Sequence, residues 1–177
     1  PAGSAAPVYR RQEVYAYMRN VKILCVGKLK ERYLSDACAE YIKRLHAFCK
    51  PEIIELPESR MPDNPSEAEI AACLKREGEE ILTKIPPGAM VIPMCIEGKQ
   101  LSSEELAREL SNAGVMGISC ACFIIGGSWG LSQAVKSAGK LRLSMSKMTF
   151  PHQLARVMLL EQVYRAFSIN AGSKYHK

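Results

Sequence analysis

The chain has 177 residues, 47% of them hydrophobic, which is enough for one globular domain with a continuous core and too little for two. Its 24 Lys and Arg against 18 Asp and Glu leave a formal charge of +6, which suits a polyanionic partner without identifying one. No apolar run reaches the roughly 18 residues that a membrane span needs, and no apolar stretch with a small-residue cleavage site opens the chain.

The seven cysteines (Cys25, Cys38, Cys49, Cys73, Cys95, Cys120 and Cys122) contain no C-x-x-C pair and sit mostly in apolar runs. They point to a reducing cytoplasm without structural zinc, and no metal site is expected. Residues 1–17, PAGSAAPVYRRQEVYAY, show no sustained period and read as a leader or upstream extension, expected to be disordered. The alternative is an ordered arm packed through Tyr9, Tyr15 and Tyr17. A single domain is expected from Met18 to Lys177.

From Val21 onward short apolar runs alternate with amphipathic segments. VKILCVG predicts a strand, and apolar residues at helical spacing from Leu34 to Leu45 predict a helix over 31–48. EIIEL is a second strand. A polar, proline-punctuated loop then leads to a helix over 66–84, where Ser66 and Glu69 form a capping box. AMVIPMCI is a third strand, and its Pro93 requires that strand to be at an edge, bulged, or interrupted beside a ligand. LSSEELARELSNA predicts a third helix with a second capping box, Ser102 and Glu105, followed by the strand CACFIIG. LSQAVKSAG is a short helix, KLRLSM a fifth strand, and a final helix runs from Pro151 to about Ser168. Strands alternating with helices predict an α/β fold, a mostly parallel sheet with helices on both faces. Such sheets bind ligands beyond the carboxyl ends of their strands.

The loops at those ends hold the candidate chemistry. IIGGSWGLS places Gly126, Gly127 and Gly130 where positive φ and close backbone approach are useful, with Ser132 available as a helix cap. Its spacing is neither G-x-G-x-x-G nor a P-loop, so a plain tight turn explains the glycines as well as a cofactor does. SMSKMTFPHQLARVMLLEQVYRAF runs from a polar, sulfur-bearing loop into the last helix, whose free N–H groups make a natural ligand wall. Glu161 with Arg165, and His152 with Arg156, are four residues apart. Taken singly, each pair reads as an exposed helical contact.

Together, the opening VKILCVGKLKERYL, the segment IEGKQLSSEE, the loop IIGGSWGLS, the string SMSKMTFPHQLARVMLLEQVYRAF and the terminal YHK resemble the RlmH family, in order from Met18 to Lys177. These are SPOUT-class enzymes that methylate N3 of a pseudouridine in a hairpin loop of 23S ribosomal RNA. The resemblance implies a C-terminal deep trefoil knot, one of the rare exceptions to unknotted chains. It implies S-adenosyl-L-methionine held by Met94, by Gly126 and by the loop Met145, Ser146, Lys147, Met148, Thr149 and Phe150. It further implies Glu161, Arg165, Tyr175 and His176 around the target base, and a homodimer in which the tail of one subunit completes the pocket of the other. The family commonly has leucine where Met94 stands, a swap of similar volume. Pro93, Cys95 and the CAC run depart from the family pattern.

On this reading His176 accepts or relays the N3 proton, Arg165 stabilises negative charge or a phosphate, Glu161 orients Arg165, and Tyr175 stacks on or hydrogen-bonds the base. Lys28, Lys30, Arg32, Lys147, Arg156 and Lys174 are candidate phosphate contacts. The stripe Leu154, Val157, Met158 and Leu160 calls for burial, within the chain or against a second copy. Two rival readings share the pattern: a non-catalytic ribosome-binding or RNA-binding α/β module, and a nucleotide-binding oxidoreductase. The second lacks the expected glycine spacing and ribose-binding acid.

Overall fold

The computed structural model describes residues 18–175. The expectations placed on the leader, on His176 and on Lys177 lie outside the described residues. Five strands, β1 (Asn20–Val26), β2 (Lys50–Leu56), β3 (Met90–Gln100), β4 (Cys120–Ile125) and β5 (Leu143–Ser144), form one sheet in the order β2-β1-β4-β3-β5. Every pairing is parallel. The helices are α1 (Arg32–Leu45), α2 (Glu67–Lys84), α3 (Ser103–Val115), α4 (Gln133–Ala138) and α5 (His152–Asn170).

Successive strand residues point to opposite faces, so a sheet covered on both sides needs apolar side chains at every position. β1 and β4 meet that demand. Val21, Ile23 and Cys25 join Ala121, Phe123 and Ile125 in the core under α1, α3 and α5, while Leu24, Val26, Cys122 and Ile124 face Ile81 of α2 and Val135 of α4. Both capping boxes form as expected, with Ser66 and Ser102 accepting from the N–H of Glu69 and Glu105. Ser132 caps α4 by accepting from Val135 N. Pro151 stands one position before the helical residues of α5, at its N-cap.

Two local expectations change, and the alternatives left open for β3 narrow to the bulge. β3 is not an edge strand, since it lies between β4 and β5. It is bulged, with a register shift against β5 between Met94 and Lys99. Pro93 fits because Gly139 presents no side chain: a Cβ there would lie 2.3 Å from the proline Cδ. β5 is only two residues long and rests on Gly98, where a Cβ would come within 2.7 Å of the Leu143 carbonyl carbon.

The expected apolar stripe of α5 is also not its core face. Leu154 is 39% exposed, Val157 and Met158 are half-buried, and of the four only Leu160 is fully buried. The buried face is instead Leu159, Leu160, Val163, Ala166 and Phe167, which packs between α1 and α3. Asn170 Nδ2 pins the end of the helix by donating to Ala107 O at 2.9 Å.

Candidate functional site

The carboxyl ends of β4 and β5, the bulged middle of β3 at residues 94–97 and the start of α5 surround a cavity of about 740 Å³; Met94 lies inside β3, not at its end as expected. That volume lies in the usual range for a small-molecule site, about 300–1,000 Å³. Of the eight residues assigned to a cofactor, Met94, Gly126, Met145, Ser146, Met148, Thr149 and Phe150 line it and Lys147 does not. The loop after β5 holds its shape through its own serines. Ser144 Oγ donates to Ser146 O at 2.9 Å, and Met148 N donates to Ser146 Oγ at 3.0 Å. Pro151 and His152 reach the same cavity, and α5 has no side-chain cap, so its first N–H groups remain available on that wall.

The glycine turn serves its own backbone first. A Cβ on Gly126 would fall 2.2 Å from Gly130 O, and only Gly130 of the three has positive φ, at 85°. Only glycine at 126 therefore lets the chain fold back tightly at the end of β4, and the cavity wall follows from that turn. At the mouth Lys136 Nζ lies 2.5 Å from Glu97 Oε1, and this hydrogen bond holds the Glu97 carboxyl below the usual carboxylate range. Cys95 also lines the cavity, with burial raising its thiol above the ordinary value. Burial pushes Cys25, Cys49 and Cys122 up to about 12, so these thiols behave as the small hydrophobes expected.

A second cavity of about 510 Å³ shares Leu143, Ser144 and Met145 with the first. Its other walls include Tyr41, Ser102, Ser103, Val157, Met158, Glu161 and Gln162. Of the four residues assigned to chemistry only Glu161 lines this cavity; Arg165 and Tyr175 pack on Glu161 without lining it, and His176 is outside the described residues. Arg165 Nε and Nη2 donate to Glu161 Oε1 at 3.0 and 2.5 Å, and the Tyr175 hydroxyl donates to the same oxygen at 3.3 Å. The other oxygen accepts from Gln162 Nε2 at 2.6 Å, and Gln162 Oε1 accepts from Ser103 Oγ at 2.6 Å.

Both Glu161 oxygens thus accept hydrogen bonds from neighbouring side chains. The hydrogen bonds to Glu161 raise the Arg165 guanidinium above its usual range. The Tyr175 ring carries Arg165 4.8 Å from its centroid and meets Tyr164 edge-on at 4.7 Å, with burial as the first cause raising its phenol. The ring is therefore already packed, which limits it as a stacking face for a base.

Arg156 departs from expectation. It is 1% exposed, donates to Glu55 Oε1 at 2.5 Å and to Gly27 O at 2.6 Å, and so ties the start of α5 to the ends of β1 and β2. It is neither an exposed helical contact nor a phosphate contact. Lys28, Lys30, Arg32, Lys147 and Lys174 are exposed as those roles require, although Arg32 is 3.7 Å from Asp36. Sequence reading also missed Tyr41, Ser103 and Gln162. Only Gln162, directly beside Glu161, carried any signal along the chain.

The family model described as "Predicted SPOUT methyltransferase" matches residues 19–176. A protein named ribosomal RNA large subunit methyltransferase H from Lactobacillus delbrueckii subsp. bulgaricus is 51% identical over 158 residues, 89% of this chain and 99% of the relative. One of the same name from Bacillus thuringiensis is 53% identical over the same shares. Among solved structures, a probable methyltransferase from Bordetella pertussis Tohama I superposes with a TM-score of 0.50 at 14% identity, covering 88% of this chain and 99% of that one. That likeness supports the fold alone. No helix among the described residues is long and apolar enough to cross a membrane, and no group of three or more His, Cys, Asp or Glu among them could hold a metal ion.

Proposed function

This chain belongs to the SPOUT methyltransferase family, and from that premise we propose that it methylates N3 of a pseudouridine in large-subunit ribosomal RNA with S-adenosylmethionine as donor. The observation that carries the reading is the meeting, in one cavity, of the loops after β4 and β5 with the bulged middle of β3, in a chain matched to the family from residue 19 to 176.

Met94, Gly126 and the 145–150 loop would hold the donor, and the volume, the apolar Met and Phe walls and the polar loop groups suit an amphipathic nucleoside of that size. When bound, S-adenosylmethionine supplies an activated methyl group. The protein's tasks are then to align the base nitrogen, exclude water and remove the N3 proton. Arg165, fixed by Glu161, is poised to stabilise the anionic base or an adjoining phosphate. His176 would take or relay the proton. Tyr175, with its ring packed and its hydroxyl on Glu161, fits holding the tail and offering an edge to the base better than face-to-face stacking.

Residues 18–177 are read as one domain, with the C-terminal segment threaded into a trefoil knot. The chain is read as a homodimer acting in the cytoplasm, where ribosomes are. Support for the dimer comes from the half-buried Val157 and Met158, the 39%-exposed Leu154 and the 71%-exposed Met148, an apolar surface beside the two cavities that a second copy would cover. The tail cluster of one subunit would then complete the donor cavity of the other.

Incubating assembled ribosomes that lack the modification with the protein and methyl-labelled S-adenosylmethionine tests the reading. One methyl on N3 of a large-subunit pseudouridine is the expected product. Transfer to another position, or to no RNA, would refute it.

A further inference from the structure

Resting on the methyltransferase reading, we propose that Trp129 is a stacking platform for an RNA base that neighbours the methylated one. Trp129 is the only tryptophan of the chain, and at 44% exposure it leaves much of a large apolar ring in water. The turn that carries it is fixed at both ends. Gly127 and Gly130 pair as an isolated bridge, Gly130 N donates to Gly127 O at 3.1 Å, and Ser128 Oγ donates to Glu58 Oε1 at 3.0 Å. A ring on so short and tethered a tip is held in place, which lowers the entropy lost when it is stacked upon.

Its position narrows the occupant. Trp129 lines both the donor cavity and an adjoining hollow of about 280 Å³ formed with Glu58, Ser59, Arg60, Met61, Glu77 and Ser128. The ring thus stands on the rim of the donor cavity, where a nucleotide next to the methylated one could lie, and single-stranded bases are commonly held on aromatic faces. The polar surroundings suit a base and its backbone together. Glu58 and Glu77 present acceptors only, as the N–H edge of a base requires, and Arg60 is exposed and available to a phosphate. The two carboxylates are themselves anchored, Glu58 by Ser128, and Glu77 by Ser59 N at 2.8 Å and Cys73 Sγ at 3.5 Å.

The single tryptophan makes its own reporter. Titrating the protein with a synthetic RNA hairpin carrying pseudouridine in its loop should quench intrinsic tryptophan emission, and S-adenosylmethionine alone should not. In methyl-transfer kinetics Trp129→Ala should raise the KM for ribosomes about tenfold, the size expected for one lost base–aromatic stack, and should change the KM for S-adenosylmethionine less. Trp129→Phe should recover most of the loss. Quenching by S-adenosylmethionine alone would reassign the ring to the donor, dissociation of Trp129→Ala into monomers would reassign it to a second copy, and an unchanged KM would remove it from RNA binding; each overturns the proposal. If the unmodified protein transfers no methyl group, the underlying functional reading fails, while quenching by the hairpin still decides whether this ring meets RNA.

Discussion

Arg156 is a cation taken out of water at the junction of α5 with β1 and β2, and its two anchoring oxygens come from residues more than a hundred positions away along the chain. Replacing it by alanine removes the donor to the Gly27 carbonyl and leaves the Glu55 carboxylate with Leu29 N, 3.2 Å from Oε1, and solvent. The expected loss is about 2–3 kcal/mol in urea unfolding, below the 3–5 of a fully buried pair because a third of the Glu55 side chain remains in water. Lysine should not rescue it, since one ammonium cannot reproduce the two-pronged reach.

Gly126→Ala addresses the cavity rather than the core. The added Cβ meets Gly130 O at 2.2 Å, so the turn must open, and calorimetry should show S-adenosylmethionine binding lost or weakened at least about tenfold. His176→Ala is the complementary change. Turnover should fall about a hundredfold, as for a missing general base, with donor affinity nearly unchanged. Equal loss of both would remove His176 from proton transfer. The sequence suggested these residues unequally. Strand-end logic and family likeness together pointed to Gly126, which does lie in the cavity wall, in a turn that only glycine allows. The burial of Arg156 was not, because spacing on its own helix says nothing of acids and carbonyls brought from β1 and β2.

The helices were legible where local chemistry alone decides them. Ser66 and Ser102 each sit three residues before a glutamate, and both boxes form, so cap and periodicity could be read without knowledge of the sheet. Ser66→Ala should cost about 1 kcal/mol in thermal or urea unfolding without affecting donor binding, because this cap lies away from both cavities. β3 and β5 were less legible for the opposite reason. Their ends depend on each other, through the bulge between Met94 and Lys99 and the close approach at Gly98, and neither feature leaves a period in one segment. The face of α5 that enters the core was misread on similar grounds. The helix is apolar on several sides, and which side is buried depends on α1 and α3, not on its own pattern.

Across the molecule, two adjoining cavities share the two residues of β5 and the first of the following loop, so a group held in one is next to a group held in the other. On the wall of the second cavity the Glu161 carboxylate is held by Arg165 and Tyr175. The formal charge of +6 should make RNA affinity strongly dependent on salt, weakening it at least about tenfold between 50 and 200 mM, whereas donor binding in the apolar cavity should change little.

The most direct measurement is thermal unfolding of the purified chain with and without S-adenosylmethionine. A donor enclosed by Met94, Gly126 and the 145–150 loop stabilises the folded state by about 2.7 kcal/mol at a hundred times its Kd, so the midpoint should rise by several degrees and saturate. A midpoint that does not move at any donor concentration would contradict the assignment of this cavity.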